Sequence, residues 1–103
     1  DGGRGGPNQE TALGFARGID WWSGIVGAFI GTDGTDGPTD LAGGLATGRT
    51  SRRATAAGVP IADALDRNDA AAPLVELEDA IVTGPTDTNL MDLRVVLVDR
   101  RDG

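Results

Sequence analysis

The 103-residue sequence contains no cysteine, no histidine and no lysine. Without cysteine there are no disulfides and no thiol chemistry. Without histidine as well, zinc fingers, Ser-His-Asp triads and imidazole general bases are excluded. The missing lysine removes the G-x-x-x-x-G-K-[ST] phosphate loop. No apolar run approaches the roughly 18 residues of a membrane span, and no charged-then-apolar leader opens the chain, so a cytoplasmic location is the default expectation. Carboxylates, hydroxyls, amides, arginines and backbone groups are left to build any site.

Thirteen aspartates and three glutamates face nine arginines, for a net charge of -7. Nucleic acid and anionic membrane surfaces are therefore not expected as general partners, and an acidic substrate would need a local exception to the field. The bias towards Asp, Arg, Ala and Gly suits either a GC-rich genome or a salt-loaded cytoplasm. The length fits one domain or part of one, able to bury roughly two thirds of its unfolded surface.

After the glycine-rich opening DGGRGGP, Asn8 can cap a helix with Glu10 in its first turn. Ala12, Phe15, Ala16, Ile19 and Trp22 form one apolar stripe, which predicts a helix over about 8–23. IVGAFI (25–30) reads as a buried strand, 39–46 as a short glycine-weakened helix, and 50–57 as a helix closed by Gly58. A helix beginning near Pro60 follows, then a break at Asn68-Asp69 and a helix to about Leu77. AIVT (80–83) and LRVVLV (93–98) read as strands. Strands separated by helices predict an α/β fold with a small mixed sheet covered by helices. Three strands make a thin sheet, so the expectation is an incomplete domain lacking upstream strands.

Four segments could carry chemistry: GGRGGPNQE (2–10), GTDGTDGPTD (31–40), RND (67–69) and TGPTDTNLMD (83–92). All are turn-rich and adjoin strand or helix ends, where α/β proteins bind ligands. Glycines leave backbone N–H groups free to face an anion, and a helix starting at Thr39 or Asp40 would add its positive end. Asp33 and Asp36 would repel such an anion unless they carry a divalent cation or receive a substrate hydroxyl. The simpler reading makes them turn formers, with Thr39 or Asp40 as a helix cap. The last segment offers threonines, an asparagine and aspartates for a hydroxy acid or a phosphate, or is an ordinary Gly-Pro turn. Arg4 could pair with an anion, and Gln9 or Glu10 could reach a ligand. Trp21-Trp22 is either a binding pair or, more simply, one core residue beside a partly exposed one.

In this order and spacing, GGRGGPNQE, GTDGTDGPTDLAGG, RND and TGPTDTNLMDL resemble the C-terminal MOFRL domain of the glycerate 2-kinase family, whose members are often labelled hydroxypyruvate reductases. The resemblance implies a MOFRL-like domain over 1–98 with a polar tail at 99–103, completed by an N-terminal kinase domain outside this sequence. It implies ATP- and Mg2+-dependent phosphorylation of glycerate at a site between the two domains, with the fragment alone inactive. Carried over by position, Thr32, Asp33, Gly34, Asp36, Gly37 and Thr39 match the glycine-aspartate loop, and Asn68 and Asp69 match a mid-domain pair. Asp33 and Asp36 are the implied catalytic and metal-binding carboxylates. Arg4, Asn8, Gln9, Glu10, Thr86, Thr88, Asn89 and Asp92 are the substrate-binding candidates. Pro7 stands where the family commonly has arginine, Asp87 where it has glycine, and Met91 where it has a polar residue. A reductase, or a non-catalytic lid domain, is the alternative.

Overall fold

The computed structural model describes residues 4–31, 34–37, 39, 41–83 and 92–99. Helix α1 (Pro7–Gly18) leads into strand β1 (Ile25–Gly31) and then β2 (Gly43–Thr47). Helices α2 (Thr50–Ala56), α3 (Ile61–Asp66) and α4 (Ala71–Glu76) follow, and β3 (Ala80–Ile81) and β4 (Asp92–Val98) complete the order. The strands form one sheet in the order β3-β2-β1-β4. The α/β class holds, and all three described pairings are antiparallel where the sequence suggested a mixed sheet.

The difference lies in residues 39–46, whose described members, Thr39 and 41–46, do not form a helix. Gly43 and Gly44 lie in β2 against Ile30 and Phe29 of β1. A Cβ on Gly43 would overlap the Phe29 carbonyl oxygen, and one on Gly44 would come within 2.6 Å of Leu74. The glycine pair that weakens a helix is what lets this strand lie close to its neighbours. With β2 added, the expected three strands become four.

Helix α1 also departs from its expected bounds. Its N-cap is Gly6 with Pro7 at the first position, so Asn8 lies inside the helix. Proline suits that position because its missing N–H would have no partner within the helix. The helix stops at Gly18, short of Ser23, because the Trp21 N–H bonds to the Gly48 carbonyl at 3.0 Å and Trp21 takes a φ of 75°. Ala12 and Ala16 on the stripe are buried, while Trp21 and Trp22 are 72% and 65% exposed. Neither tryptophan is core.

The helices cover one face of the sheet. Leu13 and Ala16 of α1 join Ala46, Ala54, Ile61, Ala64, Ala70, Leu74 and Leu77 in one core. Each fully buried leucine contributes roughly 1.5–3 kcal/mol. The alanines keep the layers close. Phe15 and Phe29 meet with ring centroids 5.2 Å apart at the α1–β1 contact.

Candidate functional site

The strand register sets the geometry. Gly31 pairs with Asp92, Ile30 with Gly43, and Gly43 with Ile81. The end of β1, the start of β2, the end of β3 and the start of β4 therefore lie at one end of the sheet. The 31–43 connection and the 81–92 connection both leave from that end. Backbone bonds from Gly31 N–H to the Ala42 carbonyl and from Ala42 N–H to the Ile81 carbonyl, each 2.7 Å, tie their bases together.

Asp36 fastens the first connection to α1. Its Oδ1 accepts from the Asn8 backbone N–H at 2.9 Å and from Asn8 Nδ2 at 3.2 Å, while its Oδ2 accepts from the Gln9 backbone N–H at 2.7 Å. These are N–H groups of the first helical turn, which have no partner within the helix. Gly6, at the N-cap, has no side chain to satisfy them. Asp36 supplies the cap from 28 residues away and places a carboxylate at the positive end of the helix.

Thr39 and Gln9 complete the clamp. Gln9 Nε2 donates to Thr39 Oγ1 at 2.9 Å and to the Asp36 carbonyl at 3.3 Å. The Thr39 hydroxyl donates to the Asp36 carbonyl at 2.8 Å and accepts from the Leu41 N–H. Asn8, Gln9 and Asp36 are at most 3% exposed.

Glycines make this closeness possible. A Cβ on Gly6 would overlap the Asp36 carbonyl, and one on Gly37, which has a φ of 64°, would come within 2.9 Å of Gly6 Cα. The opening glycines also bring in the RND segment. The Arg4 N–H donates to Asp69 Oδ1 at 3.0 Å, and the Arg4 carbonyl accepts from the Ala71 N–H at 2.9 Å. Asn68 turns the chain after α3 with a φ of 54°. Three of the four segments singled out in the sequence are thus bonded into one cluster at the N-terminus of α1.

The candidate residues divide accordingly. Asn8, Gln9, Asp36 and Thr39 are buried and bonded to one another, and Glu10 is exposed on the first turn of α1. The Arg4 side chain is exposed beside a cleft of about 240 Å³ shared with Asp69, Val75 and Glu76. Asp92 begins β4 opposite Gly31. Thr32, Asp33, Thr86, Thr88 and Asn89 lie outside the described residues. Sequence reasoning missed that Thr39 joins Gln9 to the Asp36 backbone. Its only signal there was a hydroxyl three residues after an aspartate, which was read as a helix cap. Among the described residues no group of three or more carboxylates is placed to hold a metal ion.

The chain matches the MOFRL family over residues 1–92 and belongs to it. It is 42% identical over 96 residues to D-glycerate 2-kinase of Thermotoga maritima, covering 93% of this chain and 23% of that one. It is 38% identical over 102 residues to glycerate 2-kinase of Pyrococcus horikoshii, covering 99% and 23%. The crystal structure of the Thermotoga maritima glycerate kinase superposes with a TM-score of 0.90 over 94% of this chain and 23% of that chain, at 41% identity. The fold is that of a glycerate kinase domain, and this chain spans about a quarter of the length of those relatives.

Proposed function

We propose that this chain is the C-terminal domain of a glycerate 2-kinase and contributes the glycine-aspartate loop and the 83–92 loop to a site shared with an N-terminal domain. There the γ-phosphoryl group of ATP is transferred to a hydroxyl of glycerate. The observation that carries the reading is the Asp36 clamp, which fixes the first loop to α1 at the end of the sheet from which the second loop also leaves.

Phosphoryl transfer depends on alignment and charge neutralisation more than on covalent chemistry. Asp36 is suited to alignment, since both of its oxygens already accept helix N–H groups. We therefore assign Asp36, Asn8 and Gln9 to holding the loop, and not to ligating a metal or touching glycerate. Asp33, on the same loop, keeps the role of orienting the substrate hydroxyl or a magnesium ion. Thr86, Thr88, Asn89 and Arg4 remain the candidates for hydrogen bonds and charge toward the hydroxy acid.

Among the described residues no group of three or more acidic side chains is placed to hold a metal ion. The test is glycerate-dependent ADP release by the full-length kinase carrying this domain, compared with Asp33→Asn and Asp36→Asn. The reading predicts that Asp33→Asn lowers turnover at unchanged stability, while Asp36→Asn lowers stability first. Equal, undiminished turnover in both would overturn it.

A further inference from the structure

One face of the sheet carries the four helices, and the opposite face carries none of the described elements. Phe29 and Ala46 point into the core, whereas Val26 and Leu45, at the alternate positions of β1 and β2, are exposed. The register places Leu97 beside Val26, Val95 beside Ala28 and Leu93 beside Ile30, so these side chains continue the same apolar face across β4. The other side of β4 is also apolar and exposed at Val96 and Val98. Among the described residues β4 pairs only with β1, which leaves its second edge open. Its last four residues, Val95–Val98, are apolar on both faces, which is the pattern of an interior strand, and the charges that normally protect an edge strand are confined to Asp92 and Arg94 in its first half. At the far end of β1, Val26 also lines a cavity of about 450 Å³ together with Trp21, Trp22 and Arg52, whose guanidinium lies 3.7 Å from the Trp21 ring centroid. Tryptophan and arginine around a pocket are what buried interface anchors are made of.

We propose that the open edge of β4 and the apolar face formed by Val26, Leu45, Leu93, Val95 and Leu97 are the surface on which the remainder of a longer kinase chain docks, adding a strand to β4 and an apolar layer over the face. The occupant follows from two observations. In the Thermotoga maritima structure the matching segment is 23% of a chain, so about three quarters of that polypeptide is covalently joined to a domain of this shape and available to cover it. A second copy of this chain fits less well, because each copy brings a net charge of -7 and like charges oppose self-association. The inference rests on the reading that the domain works within a longer chain, but not on the reaction assigned to it.

These 103 residues contain no cysteine, so a thiol introduced among them is identified by peptide mapping after labelling. In the full-length kinase carrying this domain, Leu97→Cys and Leu45→Cys are labelled with a maleimide beside Val75→Cys on exposed α4, and the amide exchange of β4 is followed without any substitution. The expected result is labelling about 100-fold or more slower at positions 97 and 45 than at 75, with protected β4 amides. Equal labelling at all three positions with rapid β4 exchange overturns the proposal. Protection that develops in the 103-residue chain alone, rising with concentration as its mass doubles, assigns the surface to a second copy and also overturns it. Glycerate-dependent ADP release is measured on the same samples. Protection without activity leaves this surface standing and removes the kinase reading, while activity without protection does the reverse.

Discussion

The carboxylate of Asp36 accepts the backbone N–H of Gln9 at 2.7 Å, so the loop that follows β1 caps the helix that precedes it. Capping and hydrogen bonds to a charged acceptor together make the pair worth roughly 2–4 kcal/mol. Asp36→Ala should lower unfolding stability by that amount in urea titrations. Asp36→Asn, which keeps one acceptor oxygen, should lose less. No change in stability for either variant would mean that the loop is not held this way.

Gly6 at this contact and Gly14 further along α1 make predictions of opposite sign. Gly6→Ala would drive a methyl group into the Asp36 carbonyl and should cost roughly 2 kcal/mol or more. Gly14 lies exposed within α1 with nothing near a Cβ, so Gly14→Ala should stabilise by about 0.5–1 kcal/mol. Thermal melts of the two variants, run together, separate close approach from general glycine loss.

Gly44 packs against Leu74, and their substitutions should not add. Leu74→Ala alone should cost about 2–5 kcal/mol. Gly44→Ala should be destabilising in the parent and much less so in the Leu74→Ala background, because its new methyl group enters the space that Leu74 Cδ1 leaves. A double-mutant cycle by urea denaturation reads this coupling, and strict additivity would contradict the described β2–α4 contact.

Much of this was legible in the sequence. Helical periodicity found α1, and turn residues such as Gly58 and Asn68 marked the ends of α2 and α3, since these signals are local. β2 was missed because its evidence is not local: Gly43 and Gly44 look like helix breakers until β1 is laid beside them. The candidate site was legible as a set of segments, and three of them do meet. The role of Asp36 was not, because a cap from 28 residues away leaves no spacing to read. Trp21 and Trp22 were expected to share one core residue. The turn bonded to Gly48 instead leaves both outside.

The reductase alternative has a direct assay. A relative from Agrobacterium vitis, 38% identical over 96 residues, carries a provisional hydroxypyruvate reductase name. These 103 residues hold no strand-preceded G-x-G-x-x-G turn, so a dinucleotide site would have to be built outside them. The kinase reading predicts that hydroxypyruvate added to the full-length kinase produces no NADH oxidation, followed as loss of the reduced-nicotinamide absorbance. Steady oxidation dependent on hydroxypyruvate would reverse the assignment.

The central proposal is a division of labour on one loop, in which Asp36 holds and Asp33 acts. It is tested most directly by measuring glycerate-dependent ADP release and urea unfolding on the full-length kinase carrying Asp33→Asn. The account predicts turnover lower by about 100-fold or more with an unchanged unfolding midpoint. Turnover equal to that of the parent would contradict it.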